Sequence, residues 1–381
     1  MSRLFLDYNA GAPMLPEAKR AAEQALDAYG NPNGLHEESR IAAQIINRAR
    51  TSVAKLVGAE PSEIFFFPSA SLVNYFLLTS FPRVYCPPYE HPSILKSICE
   101  PDSQNPALIS AMLANNETGE IYNIEHIFAK FPHAKKHSDI SQAVGKIPVN
   151  LGSAGDPTSQ PTNPLANIDF ATISSQKIGG GKGAAALFIR GGTPALKATK
   201  ALKYRLFALG TPNVAAIAAF GAAAEQANQT IQQFQSRVQT LRDELRRRIQ
   251  AEIPDVVINT PAASLPNTLD VSFLGAEGES IMLMLDHHGI ATSTGSACAT
   301  ADGKPSHVLM AMYAHLKGKS SEAWPLGSAL PTERRENRRL SLEEIAHGSI
   351  RFSFPPDTPQ DATDRIMAVL PNIIKKLRSI S

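Results

Sequence analysis

Between Ile64 and Ile189 the chain repeats one pattern: a short apolar run, then a stretch with helical spacing or a turn, then another apolar run. The runs are Ile64 to Phe67, Val84 to Cys86, Ala107 to Leu113, Lys136 to Ile140, Ile168 to Ser174 and Ala184 to Ile189. Helical patterns lie at Leu72 to Thr79 and Ile124 to Phe131. Strands covered on both faces lose the polar alternation of a half-exposed strand, and parallel neighbours need a crossover connection between them. The pattern therefore predicts an α/β layered fold around a mostly parallel sheet. Upstream, Leu4 to Asp7 reads as a strand, and Pro16 opens a helix through Tyr29, as proline in a first helical turn does. A loop follows at Gly30-Asn31-Pro32-Asn33-Gly34. In Glu37 to Leu56 the apolar residues Ile41, Ile45, Ala49, Val53 and Leu56 recur every third or fourth position, which predicts a long amphipathic helix.

Beyond the repeat the pattern changes. A helical stretch runs from Val214 to Ala251; strands at Val256 to Ile258, Thr268 to Phe273 and Ile350 to Phe354, with helices at Glu279 to His288 and Gln360 to Leu377, describe a smaller C-terminal α+β domain. At 381 residues the chain exceeds one typical domain. The expected layout is an N-terminal segment 1–15 packing with the small domain, a large domain 16–252 and the small domain 253–381. A polar insertion at 317–341, bearing Arg334, Arg335, Arg338 and Arg339, reads as solvated and ends in the capping-box pattern Ser341-Leu342-Glu343-Glu344. A formal charge of +2 gives no electrostatic reason to expect nucleic acid or an anionic membrane as partner. The most apolar stretch, Val214 to Ala224, is about half of the ~20 residues a membrane-spanning helix needs. No signal peptide is visible at the N-terminus. Cys86, Cys99 and Cys298 form neither a disulfide framework nor a metal-binding pattern, so a reduced, cytoplasmic setting is expected. Cys86 reads as strand core and Cys99 as incidental.

Three places could carry chemistry. Ser174-Ser175-Gln176-Lys177 ends an apolar strand and runs into Ile178-Gly179-Gly180-Gly181-Lys182-Gly183. A lysine held there suits Schiff-base formation, because burial can free its amine. A phosphate-cradling P-loop is excluded, since Lys182 is followed by Gly183 rather than Ser or Thr; a plain turn is the competing reading. Asp139 and Gln142 lie at a strand end, where ligands of open α/β sheets gather. There an aspartate either caps a helix or holds a pyridinium nitrogen protonated. Asn115-Asn116-Glu117-Thr118-Gly119 is a turn, or a pair of amides donating to a ligand oxygen.

The order of these segments resembles the cysteine desulfurases of the NifS/IscS type, in the class V aminotransferase group of fold-type I pyridoxal phosphate enzymes. The likeness runs nearly end to end. It is carried by Leu6-Asp7-Tyr8-Asn9-Ala10, Gly30-Asn31-Pro32 with Leu35-His36, Ala114 to Gly119, Asp139 with Gln142-Ala143-Val144-Gly145-Lys146, and Gly210-Thr211-Pro212-Asn213. It continues through Leu265-Pro266-Asn267-Thr268, Ser293-Thr294-Gly295-Ser296-Ala297-Cys298, Pro305-Ser306-His307-Val308-Leu309 and Ser349-Ile350-Arg351-Phe352-Ser353.

The resemblance implies a homodimeric enzyme that uses pyridoxal 5'-phosphate to convert L-cysteine to L-alanine and passes the sulfur to an acceptor protein, such as an iron-sulfur scaffold. Lys177 matches the lysine that joins the cofactor. Asp139 matches the partner of its ring nitrogen, and His91 the histidine that stacks on the ring and moves protons. Asn116 and Gln142 fall where the family contacts the ring side. Ala70, Ser71, Ser174, Gln176 and a second subunit's Thr211 would hold the phosphate. Arg351 matches the clamp on the substrate carboxylate, with Asn33 also on the substrate side. Cys298, set among small and polar residues, matches the nucleophile that takes the sulfur as a persulfide.

The match breaks in places. Gln176 stands where the family usually has histidine; Ser69 and Leu72 replace the glycine and glutamate of the phosphate loop, with Asn74 still in register. Ala201 to Leu209, with Ala208 where arginine is expected, replace a segment that normally borders the site. These departures leave two alternatives: a diverged non-catalytic or regulatory paralogue, or a pyridoxal phosphate enzyme acting on another substrate such as selenocysteine.

Overall fold

A computed structural model of the chain describes residues 3–97, 104–152, 165–191, 210–295, 305–316 and 341–380. Among them the strands are β1 (Leu4–Phe5), β2 (Ile64–Phe67), β3 (Val84–Tyr85), β4 (Leu108–Ser110), β5 (Lys135–Asp139), β6 (Phe170–Ser174), β7 (Ala185–Ile189), β8 (Val256–Ile258), β9 (Thr268–Phe273), β10 (Ile290–Ala291) and β11 (Ser349–Ser353). The chain divides into two compact units. One comprises Gly11–Leu113 and Tyr122–Ile231; the other comprises Met1–Ala10, Ala114–Ile121 and Gln232–Ser381. The dividing point at 231/232 falls within the long helix Val214–Glu252 rather than at its end.

The unit containing Gly11–Leu113 is built on a sheet of order β2-β7-β6-β5-β4-β3. From β6 through β5 and β4 to β3 every pairing is parallel. Strand β7 is antiparallel to both β6 and β2, so β2 points the same way as β6. The sheet is thus mostly parallel, as the sequence suggests, with one reversed strand. The reversal has a local cause: only Ser175 to Ala184 separate β6 from β7, too few for the dozen or more residues of a parallel crossover. Its consequence is positional. The carboxyl ends of β2, β3, β4, β5 and β6 all open on one edge. Side chains of β2, β3, β4, β6 and β7 join the helix Ala70–Leu78 in a core of Phe67, Val73, Leu77, Leu78, Val84 and Phe170 among others. Cys86 lies in the same core, as expected for strand core. Its sulfur is disulfide-bonded, which the sequence reading did not anticipate.

The helix Glu37–Leu56 has the expected bounds. It is crossed by the first half of Val214–Glu252, which presents a glycine at the crossing. A Cβ on Gly221 would lie 2.6 Å from Ala49 Cα and 2.7 Å from its Cβ. A glycine inside a helix costs roughly 1 kcal/mol relative to alanine, and this close approach of two helices explains its use.

In the second unit β11, β9 and β8 form an antiparallel sheet, and β1 pairs in parallel with β10. With the helices Gly278–His287, His307–Leu316 and Leu342–His347 this is the α+β arrangement expected of the C-terminal region. The capping box forms as read: Ser341 Oγ accepts from the Glu344 N–H at 3.1 Å, and Glu344 accepts from the Ser341 N–H at 2.9 Å. The single terminal helix expected over Gln360 to Leu377 is instead two, Ala362–Met367 and Leu370–Ile380. Pro371 has no N–H to continue the ladder and its ring would clash with the preceding turn, so it fits only in a new first turn. Among the described residues no helix is long and apolar enough to cross a membrane.

Replacing Gly221 by Ala would force the two helices apart. The variant should lose about 1–3 kcal/mol of stability despite alanine's better helix propensity; a denaturant midpoint equal to or above that of the wild type would contradict this packing.

Candidate active site

At the open edge of the Gly11–Leu113 unit, β2 runs through Ser69 into the helix Ala70–Leu78. Ser69 caps the helix, its Oγ accepting from the Leu72 N–H at 3.2 Å. The N–H groups of Ala70 and Ser71, in the first helical turn, have no intrahelical acceptor and lie at the positive end of the helix dipole, a setting for a phosphate. The loss of the family's glycine at position 69 leaves this arrangement intact, because serine is itself a preferred cap.

Asp139 ends β5. Its Oδ1 accepts from the Ser141 N–H at 3.0 Å, and its Oδ2 from Asn74 Nδ2 at 3.0 Å. Asn74 Oδ1 accepts from Thr172 Oγ1 at 2.7 Å; Thr172 Oγ1 lies 2.9 Å from His137 Nε2, whose Nδ1 lies 2.8 Å from Ser110 Oγ. His137 is fully buried, and burial holds its pKa well below the ordinary imidazole value against the pull of Asp139. Gln142 is buried, its Oε1 accepting from the buried Lys146 Nζ at 2.5 Å.

His91 follows β3 and caps the short helix Pro92–Leu95. Its Nδ1 accepts from the Ser93 N–H at 3.1 Å and lies 2.8 Å from Ser93 Oγ, which in turn accepts from Asn74 Nδ2 at 3.0 Å. Beside His91, Glu90 is fully buried and its pKa is pushed well above the carboxylate range, chiefly by burial.

Strand β6 ends at the buried Ser174 and tightens into the 3-10 turn Ser175–Lys177, which leaves Gln176 and Lys177 half-buried. The segment Gly11 to Leu15 clamps this turn: the Ala12 N–H donates to Gln176 O at 3.0 Å and the Leu15 N–H to Gly179 O at 2.9 Å. The glycine run packs on protein rather than on open space. A Cβ on Gly180 would meet Ser175 Oγ at 2.3 Å, one on Gly179 would meet Leu15 at 2.6 Å, and Gly179 also has a φ of 81°. The glycines therefore make the reversal into β7, and the lysine is presented by the turn itself. Thr211 and Asn33 are exposed. Cys298, Ala208, Cys99 and residues 317–340 lie outside the described residues.

In the second unit Arg351, on β11, is nearly fully buried. Its Nη2 donates to Asp7 Oδ1 at 2.5 Å and its Nη1 to the Asn116 carbonyl at 3.1 Å, while its Nε is buried without a hydrogen-bond partner. Asn116 thus meets this arginine through its backbone; no role for its side chain follows from the contact. Glu117 is buried and accepts from Ser306 Oγ at 2.5 Å. Burial, aided by the charge of Asp270, raises its pKa to about 8 against the opposing pull of Ser306 and Arg351. Asp270, pairing with Arg351 across the β9–β11 ladder, is raised to about 6, again chiefly by burial.

Sequence reasoning missed several members of these networks. Ser110, His137 and Thr172 carry no motif of their own, Ser306 was noted only within a matching segment, Asn74 only for its register, and Glu117 only as part of a turn and its matching segment. One signal was available: on a strand, residues two apart share a face, so His137 had to lie on the same side of β5 as Asp139.

Comparison with known proteins agrees with this architecture. The Aminotransferase class-V family model matches residues 95–362, and the chain belongs to that family. A cysteine desulfurase of Trichormus azollae is 32% identical over an alignment that covers all of this chain and 95% of the relative. Cysteine desulfurase IscS of Dictyoglomus turgidum is 32% identical, with 99% and 96% covered. The crystal structure of a NifS-like protein from Rickettsia africae superposes with a TM-score of 0.75 at 24% identity, covering 98% of this chain and 99% of that one. Enzymes of this family use pyridoxal phosphate, and the donor set here fits it. A carboxylate held by two N–H donors, a capped helix start and a lysine on a strand-end turn all lie on one sheet edge.

Glu117 gives a pH test. Its folded pKa lies above the unfolded value, so the folded form holds a proton that the unfolded chain has lost; its share of stability is present at low pH and declines as pH rises from about 4.5 to about 8. Glu117→Gln should flatten the fall in Tm between pH 5 and 8. Parallel Tm–pH curves for the variant and the wild type would refute the buried, protonated state.

Proposed function

We propose that the chain is a pyridoxal-phosphate-dependent cysteine desulfurase: it breaks the C–S bond of L-cysteine, releases L-alanine and holds the sulfur as a persulfide on Cys298 for an acceptor. The observation that carries this reading is the convergence of Asp139, Lys177 and the Ala70 helix start on one sheet edge in a chain of this family. Bound pyridoxal phosphate supplies an electron sink for the carbon that bears the substrate's amino group.

The chain's own residues divide the remaining work. Asp139 would accept a hydrogen bond from the ring nitrogen of the cofactor and favour its protonated form. The N–H groups of Ala70 and Ser71 bind the phosphate together with Ser174 and Gln176, an amide donor where the family carries imidazole. Gln142, whose carbonyl accepts from Lys146, is assigned to the ring's side, and Asn116 as well. Lys177, held by the Gly11–Leu15 clamp, would join the cofactor and move a proton through its amine. His91, whose Nδ1 is occupied as an acceptor, offers Nε2 for proton transfer. Arg351 binds the substrate carboxylate, for which its buried Nε is an unused donor; Asn33 is placed on the substrate side. The thiolate of Cys298 attacks the substrate's sulfur, forming the S–S bond as the C–S bond breaks; the bond's electron pair passes to the substrate's β-carbon, which takes up a proton and leaves as part of alanine.

We further assign the protein to the cytoplasm as a homodimer in which Thr211 of each subunit reaches the phosphate of the other. Supporting this, Thr211 is exposed, and Leu26, Tyr29, Leu35, Ile41 and Tyr75 expose apolar surface in the same unit. The acceptor is assigned as a protein of the iron-sulfur scaffold type.

Purified protein with pyridoxal phosphate should show a visible absorption band that Lys177→Ala lacks and that changes on adding L-cysteine; a protein without such a band would refute the reading. Cys298→Ser should keep the band and lose sulfide release, and sulfide at the wild-type rate would remove Cys298 from its role. Arg351→Ala should raise KM for cysteine by about 10- to 100-fold, the worth of a charge-assisted hydrogen bond; an unchanged KM would refute the clamp.

A further inference from the structure

Asn74 is nearly fully buried, and both amide N–H donors and the carbonyl oxygen are engaged. Nδ2 donates to Asp139 Oδ2 and to Ser93 Oγ, each at 3.0 Å, and Oδ1 accepts from Thr172 Oγ1 at 2.7 Å. The amide orientation is fixed by charge: turned over, its carbonyl oxygen would face the Asp139 carboxylate. That orientation sets the proton positions behind it. Thr172 must spend its one hydroxyl proton on Asn74 Oδ1, so it accepts from His137 Nε2–H. A neutral imidazole with its proton on Nε2 takes the Ser110 hydroxyl proton at Nδ1. Ser110, His137, Thr172 and Asn74 thus form a chain in which every donor points toward Asp139, and each bond polarises the next. The other valence of Asn74 reaches Ser93 Oγ, which leaves the Ser93 hydroxyl proton available to His91 Nδ1. Glu90, buried close by, has its pKa pushed well above the ordinary carboxylate value, chiefly by burial and further by the charge of Asp139.

We propose that Asn74 is a positioning residue for the cofactor: it holds the Asp139 carboxylate aimed at the ring nitrogen, with Thr172, His137 and Ser110 as the chain behind it. This rests on the reading of Asp139 as the ring-nitrogen partner. If it holds, loss of Asn74 weakens the grip on the ring nitrogen specifically, whereas a residue that only packs would loosen the whole cofactor.

The test titrates apoprotein with pyridoxal phosphate and with an analogue in which C–H replaces the ring nitrogen, and reads the ratio of the two dissociation constants by fluorescence quenching. Asn74→Ala is expected to cut the wild-type preference for pyridoxal phosphate by about tenfold, the worth of one hydrogen bond to a charged group. Equal weakening of both ligands, or no change in either, overturns the proposal. Thr172→Val keeps the shape and the Asn74 side chain but removes the donor; it should shift the ratio in the same direction by a smaller factor, while Thr172→Ser keeps the wild-type ratio. Should Asn74→Ala fail to fold, this pair decides alone, and identical ratios in the two variants overturn the proposal. Asp139→Ala separates the two levels. It should erase the preference; if it keeps the preference, Asp139 is not the ring-nitrogen partner and the proposal falls with that assignment, whereas an Asp139 effect without an Asn74 effect removes Asn74 alone.

Discussion

A carboxylate at the inner end of a strand stays charged only if neighbouring groups replace the water it has lost, since an unpaired buried charge costs several kcal/mol. The site in the Gly11–Leu113 unit is organised around that constraint. Asp139 is half-buried, and both of its oxygens receive N–H donors, one from the backbone of Ser141 and one from Asn74. No cation provides these bonds. The donors are neutral dipoles backed by others, so both oxygens are held without a cation taking the place of a ligand. A lysine or arginine in place of Asn74 would hold Asp139 more tightly and compete with the ligand.

The backbone makes this economical. Because β7 returns antiparallel after a short connection, β6 can end in a turn that presents Lys177 instead of leading into a crossover helix. The same turn needs glycines where it packs on Leu15 and Ser175, and it is tied by two backbone hydrogen bonds from Ala12 and Leu15. The glycines that suggested a ligand-binding loop are thus spent on the reversal. Function is assigned to the side chain that the reversal projects.

How much of this was legible in the sequence follows from the range of each interaction. Strands β2 to β7 and the helix Glu37–Leu56 are determined by local apolar periodicity and were read within a residue or two at most ends. The mixed direction of the sheet could be deduced from connection lengths. Strand-end position singled out Asp139 and Lys177, and the family resemblance added His91 and Arg351. What surrounds them was not legible, because Asn74 meets Asp139 across 65 positions and Thr172 across 98, and no local pattern encodes such pairings. The break before Leu370 was missed for a different reason: apolar spacing continues across it, and only the missing N–H of Pro371 interrupts the ladder.

The second unit faces the converse problem with a buried cation. Arg351 has Asp7 in direct contact, and Glu117 and Asp270 are close enough to feel its charge. Three ionised carboxylates would overcompensate one guanidinium in a dry interior. Burial resolves this in part by protonation: Glu117, with its pKa raised to about 8, is largely neutral near pH 7, whereas Asp270, raised to about 6, stays mostly ionised there. Asp7 is then the carboxylate in contact with Arg351, and the arginine reaches its ligand already stripped of water. A carboxylate that binds it has only its own desolvation to overcome, in exchange for charge-assisted bonds in a low-dielectric setting. Protonation of Glu117 therefore removes one of three negative charges around Arg351, whose buried Nε still lacks a hydrogen-bond partner.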